Sequence, residues 1–122
     1  MKPSIDTSSH WWVVCLCAEW CGVCREWRDA FSQAAASHPQ FRFAWVDVED
    51  EAEAMGDVDI ETFPTVLIAH ENRPLFFGPI LPSAAQLTRL IASLLQDGSS
   101  SAVPAEAAGL MQRLTASVLA KP

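Results

Sequence analysis

The stretch Glu19-Trp20-Cys21-Gly22-Val23-Cys24, EWCGVC, decides how the rest of the chain is read. Two cysteines with two residues between them suit a dithiol redox pair, half of a thiolate metal site, or a structural clip. Upstream, Trp11–Cys17 (WWVVCLC) is a continuous apolar run rich in β-formers, as in a strand buried on both faces. Downstream the period changes. Val23, Trp27, Ala30, Phe31 and Ala34 recur every three or four residues, one face of a helix. Ser37-His38-Pro39 ends that helix, because proline cannot continue the ladder and restricts its predecessor. Cys21 therefore stands where a strand gives way to a helix. Unpaired backbone N–H groups and the helix dipole there favour a negative sulfur. Cys24 follows one turn later on the same side, within disulfide reach, and Gly22 leaves room for an approaching chain. A disulfide exchanger needs a thiolate and a second thiol to resolve the mixed disulfide. The spacing assigns Cys21 as attacker and Cys24 as the buried resolving thiol.

Outward from the motif, Phe41–Val48 (FRFAWVDV) reads as a second buried strand, and strand–helix–strand makes a parallel pair with a right-handed crossover. A short helix over Ala52–Gly56 follows. Thr65–His70 and Leu75–Ile80, separated by Glu71-Asn72-Arg73-Pro74, read as a β-hairpin. Ser83 with Gln86 is a capping-box pair ahead of Leu87, Leu90, Ile91, Leu94 and Leu95 at helical spacing. The order β-α-β-(α)-β-β-α defines an α/β layered domain. The expected organisation is an arm over 1–10, a domain over 11–96, a linker over 97–104 (DGSSSAVP) and an amphipathic helix within 105–122.

A chain of 122 residues, half of them apolar, can build one core without disulfides or metal. Its four cysteines all fall between Cys15 and Cys24, whereas a secreted scaffold spreads its cysteines to close long loops. MKPSIDTSSH shows no apolar signal region, so a cytoplasmic setting is the expectation. The net charge of −7 disfavours nucleic acid and anionic membrane as partners. Eight Asp or Glu and no Lys or Arg lie from Asp47 to Glu61, either a solvated face or a surface that steers a basic partner.

AEWCGVC, Ala18–Cys24, followed by Phe63-Pro64-Thr65 (FPT) ahead of a strand, resembles the thioredoxin family, whose motif is typically WCGPC. The resemblance runs from about Trp11 to Gln96 and includes Gly78, where the family often has glycine. It implies a thioredoxin-like α/β fold: a mixed four-stranded sheet flanked by helices, lacking the family's first strand and helix and carrying a C-terminal extension. It further implies that Pro64 is cis and lies beside the cysteines, that backbone near Phe63 pairs with substrate, and that Trp20, Gly22 and Val23 face it. Three departures matter. Val23 replaces the motif's proline, which in the family tends to make a weaker reductant. Cys15 occupies the position of the family's buried Asp, and Trp45 that of its accompanying Lys. Glu19 is near in sequence but expected to be exposed. Finally, loss of the first strand leaves a new sheet edge, which the tail helix could cover or use for dimerisation.

The expectation from these readings is a thiol–disulfide oxidoreductase, a protein disulfide reductase in type. Protein disulfides are the expected substrates, with a thioredoxin reductase-like or dithiol donor expected to return the electrons. No cofactor and no metal are expected. Cys15 and Cys17 read as small core hydrophobes open to a modulating role. They should not bridge each other, being two apart on one extended strand. The histidines show no metal or triad spacing with the cysteines. Two alternatives stay open: a thioredoxin-fold binding module or assembly chaperone, and a metal or iron–sulfur site ligated by the cysteines.

Overall fold

Strand β1 (Trp11–Cys17) lies inside a four-stranded mixed sheet of order β2-β1-β3-β4. In the computed structural model, residues 11–97 and 103–119 are described. The expected arm, 1–10, and the centre of the expected linker, 98–102, lie outside them. β1 runs parallel to β2 (Arg42–Asp47) and antiparallel to β3 (Thr65–His70), which pairs antiparallel with β4 (Arg73–Pro79). Four helices follow in chain order: α1 (Gly22–Ser37), α2 (Ala52–Met55), α3 (Ala84–Asp97) and α4 (Glu106–Arg113), the last running into a π-helical turn over Leu114–Val118. This is the expected layered α/β sheet, without a counterpart of the family's first strand and helix among the described residues.

The sheet has a core on each face, and strand alternation divides β1 between them. Trp11, Val13, Cys15 and Cys17 point towards α1 and α3, joining Cys24, Trp27, Phe31, Leu87 and Ile91. Val14 and Leu16 point the other way, towards Ala54 and Met55 of α2 and Ala107, Leu110 and Met111 of α4. Of the apolar stripe expected on the tail, Leu110, Met111 and Leu114 are thus fully buried on a sheet face and do not cover the sheet edge. Arg113 fixes the tail there, donating from Nε to the Ala54 carbonyl at 2.6 Å and from a terminal guanidinium N–H to the Met55 carbonyl at 3.0 Å.

Two local readings need correction. Val23 was expected on the buried stripe of α1; the stripe is instead Cys24, Trp27, Phe31 and Ala34, and Val23 is exposed. The helix face is set by Cys24, one position along, because that residue sits over β1. The hairpin turn is two residues long rather than four. Glu71 and Asn72 have φ of 54° and 67°, matching the twist of a two-residue hairpin loop. Arg73 and Pro74 therefore belong to β4, an edge strand, where a missing N–H is tolerated. Ser83 Oγ accepts the Gln86 N–H at 3.3 Å at the start of α3. Among the described residues no helix is long and apolar enough to cross a membrane.

Candidate active site

Cys21 is the N-cap of α1, extended at φ −85° and ψ 119°, with no side-chain cap hydrogen bond and no acidic residue in the helix's first turn. The first-turn N–H groups, which lack intrahelical partners, stay directed at the Cys21 end. The loop that carries the motif is closed on itself and pinned from two elements, β2 and α1. Cys21 N–H donates to the Ala18 carbonyl at 3.0 Å. Asp47, at the end of β2, accepts the Glu19 N–H through Oδ2 at 3.0 Å and the Glu49 and Asp50 N–H groups through Oδ1. Arg25, from α1, donates to the Glu19 carbonyl at 2.8 Å. Glu19 thus acts through its backbone; its side chain is exposed, as its position implied.

Trp20 is 62% exposed. Its indole N–H donates to Glu49 Oε2 at 2.8 Å, and its ring meets Phe63 edge-on at 5.6 Å. That contact brings the Phe63–Pro64 segment, whose peptide bond is cis, to the motif's side. Pro64 is buried, and its carbonyl accepts the Ile80 N–H at 3.1 Å. Gly22 and Val23 are exposed. Gly78 of β4 pairs with Val66 of β3, close to Pro64, and an added Cβ there would meet only ordinary contacts. Two grooves flank the motif. One of about 470 Å³ opens along Cys24, Arg28, Trp45 and Asp47. The other, about 500 Å³, runs beside Trp20, Glu49, Met55 and Phe63.

The sulfur pairing departs from the expected one. Cys24, expected to bridge to Cys21, is bonded to Cys17, with a Cα–Cα distance of 5.9 Å. Cys21 is free and half-buried, and Cys15 is free and fully buried. The cause lies in β1. Alternation puts Cys15 and Cys17 on the face under α1, and the first turn of α1 sets Cys24 above Cys17. The same parity was available in the sequence as Val13-x-Cys15-x-Cys17 opposite an apolar helix stripe. Reading both cysteines as core thiols with at most a modulating role missed it. Cys15 and Trp45, which stand where the family has its acid and lysine, are register partners across β1 and β2. Cys15 Sγ accepts the Trp27 indole N–H at 3.3 Å and lies 3.7 Å from Cys17 Sγ. Burial pushes the Cys15 thiol from an ordinary 9.0 up to about 12, against a smaller lowering by the Trp27 N–H. It is a neutral thiol throughout the physiological range. Trp45 packs on Phe31, with the Arg28 guanidinium 5.0 Å over its ring. Among the described residues no three Cys, His, Asp or Glu side chains converge to hold a metal ion.

Comparison with known proteins agrees with this architecture. The family model described as Thioredoxin matches residues 2–89. "Putative thioredoxin 2" of Streptomyces coelicolor is 36% identical over 69 residues, covering 56% of this chain and 52% of that protein. "Putative thioredoxin H10" of Arabidopsis thaliana is 33% identical over 63 residues, covering 52% and 41%. The chain thus spans about half the length, or less, of the curated relatives it matches. Among solved structures, oxidised thioredoxin of Plasmodium falciparum superposes with a TM-score of 0.60 at 22% identity, over 74% of this chain and 86% of that one. Thioredoxin of Trypanosoma brucei brucei gives 0.63 at 24%, over 75% and 81%. At that identity the likeness concerns the fold alone.

Proposed function

The chain belongs to the thioredoxin family, and from that premise we propose that it exchanges dithiols for disulfides with protein substrates. Cys21 is the attacking sulfur and Cys24 resolves the mixed disulfide. The observation that carries this reading is the juxtaposition at the head of α1. An accessible free thiol caps the helix, and one turn behind it lies a cysteine already engaged in a disulfide.

The surroundings support the roles of the other site residues. Trp20 and Phe63 form an exposed aromatic ledge against which an extended substrate segment can lie, with Gly22 and Val23 forming its floor. Backbone at Phe63–Pro64 offers the pairing edge. In the exchange, Cys21 thiolate attacks one sulfur of a substrate disulfide and the other substrate sulfur leaves as thiolate. Cys24 thiolate then attacks Cys21 Sγ and releases the first substrate sulfur. The substrate gains two electrons and the protein loses them, to be recovered from a dithiol or reductase donor. With Cys15 a neutral thiol at physiological pH, deprotonation of Cys24 relies on solvent reaching it along the groove beside Arg28 and Asp47. Compared with family members that keep the acid, resolution is slower at neutral pH. A cytoplasmic setting, where a reductase is at hand, fits this scheme.

Trapping tests the proposal. A Cys24→Ser variant expressed in cells and alkylated in acid should carry partners linked through Cys21, released by dithiothreitol and missing from the Cys21→Ser/Cys24→Ser double variant. If neither variant carries any, the fold serves as a binding module, with the aromatic ledge as its contact surface.

A further inference from the structure

Two cysteines suffice for the exchange just proposed, yet the bond seen in the structure uses a third. Cys17 and Cys24 are each only 1% exposed, and their Cα atoms, 5.9 Å apart, are within the range a disulfide spans. Cys21, also within a turn of Cys24, is left free and half-exposed. Cys24 therefore has two partners: one at the surface three residues earlier, and one in the strand beneath it. Cys17 and Cys24 stand seven positions apart, and the loop between is held by Asp47 and Arg25, so neither pairing requires the strand to be rebuilt.

We propose that Cys17 is a third redox cysteine, and that a disulfide made at the surface moves inward to become Cys17–Cys24, returning Cys21 as a free thiol. This rests on the exchange reading above. The step balances without any further oxidant. Cys17, as thiolate, attacks Cys24 Sγ; the Cys17–Cys24 bond forms, the Cys21–Cys24 bond breaks, and Cys21 leaves as thiolate. The proton given up by Cys17 is replaced in the balance by the one Cys21 takes from solvent. The two electrons lost to the substrate now come from the Cys17–Cys24 pair. In the product, Cys17 has no proton, so the 3.7 Å contact with Cys15 is a Cys15 S–H donating to Cys17 Sγ. Cys15 is thereby a positioning residue, placed to hydrogen-bond the Cys17 thiolate whenever the inner bond opens. The consequence is an oxidised protein that keeps its nucleophile. Its disulfide is sheltered in the core while Cys21 can still open a second disulfide.

The chain permits a direct test, because Glu19 lies between the two cysteine pairs. Reduced protein is oxidised with one equivalent of 2,2′-dithiodipyridine, and accessible thiols are blocked with N-ethylmaleimide before unfolding. The chain is then cut on the carboxyl side of Glu. The fragment ending at Glu19 carries Cys15 and Cys17; Trp20–Glu26 carries Cys21 and Cys24. The proposal expects these two fragments joined through Cys17 and Cys24, with maleimide on Cys21. A disulfide internal to Trp20–Glu26, with Cys21 unmodified, overturns it and leaves the exchange reading standing. No disulfide in either place overturns both. In Cys17→Ala the bond should revert to Cys21–Cys24 and the maleimide on Cys21 should disappear. Retention of that label, with the fragments joined through Cys15, would also overturn the assignment to Cys17.

Discussion

Cys15 shows what a single buried thiol does to this site. In the folded chain its pKa is pushed up to about 12, while in the unfolded chain it has its ordinary 9.0. The stability that the neutral thiol contributes is fully present below pH 9. It is lost between pH 9 and about 12, because over that window only the unfolded chain gives up the proton. With the disulfide kept intact, urea unfolding at pH 8 and pH 10 should show a loss about 1.4 kcal/mol greater in the wild type than in Cys15→Ala. Equal losses would mean that the thiol is hydrated. Trp20 is the opposite case, an aromatic side chain at the surface that hydrogen-bonds Glu49 and edges onto Phe63. Trp20→Ala should raise KM for a protein disulfide several-fold and leave a small-molecule disulfide substrate unaffected. Its melting temperature should hardly change, since the ring is mostly in solvent. The spacing singles out Cys21 and Cys24 as the candidate attacking and resolving sulfurs. The partner that Cys24 takes could not, because a CxxC motif draws attention to its own two sulfurs. The competitor lay in the parity of β1, visible only once strand and helix were placed face to face.

Among the elements, α4 makes the contribution that sequence reading least anticipated. Its stripe of Leu110, Met111 and Leu114 was legible, but not the surface it covers, since an amphipathic pattern does not say what lies opposite. Arg113 supplies the address. Its guanidinium caps the last carbonyls of α2, where a cation also complements the helix dipole. Arg113→Ala leaves two carbonyls short of donors and should cost about 1–3 kcal/mol in chemical denaturation. Gly56, which ends α2 at φ +60°, would place a Cβ 3.0 Å from the Arg113 guanidinium carbon. Gly56→Ala should therefore destabilise through both strain and displacement of the clamp, by more than Arg113→Ala alone. Leu110→Ala, which empties a fully buried site, should cost roughly 2–5 kcal/mol. If these variants leave the denaturation midpoint unmoved, α4 is not docked as described. The Cys17–Cys24 link contributes differently. It closes a loop of only seven residues, so its effect on the unfolded chain is on the order of 2 kcal/mol. A domain with two packed sheet faces does not depend on that, which is consistent with a bond free to break and reform.

At the scale of the molecule, one sheet keeps two faces dry and sets its chemistry at one end, where β1 gives way to α1 and the turn before β3 comes alongside. The order of elements could be inferred from period changes and from Pro and Gly punctuation, because those signals are local. The docking of the tail is long-range, and an amphipathic pattern does not say which surface lies opposite it; the sulfur pairing is local, seven positions apart, but depends on how strand parity and helix face meet. The acidic stretch from Asp47 proved partly structural: Asp47 holds the motif loop, and Glu49 holds Trp20. The central claim is turnover at Cys21 and Cys24. Its most direct measurement is the rate of insulin disulfide reduction at pH 7 with dithiothreitol as electron donor, for the wild type, Cys21→Ser and Cys24→Ser. The account predicts that the wild type accelerates reduction well above dithiothreitol alone and that both variants fall back to that background. A wild-type rate no faster than dithiothreitol alone, or a Cys21→Ser variant as fast as the wild type, would contradict it.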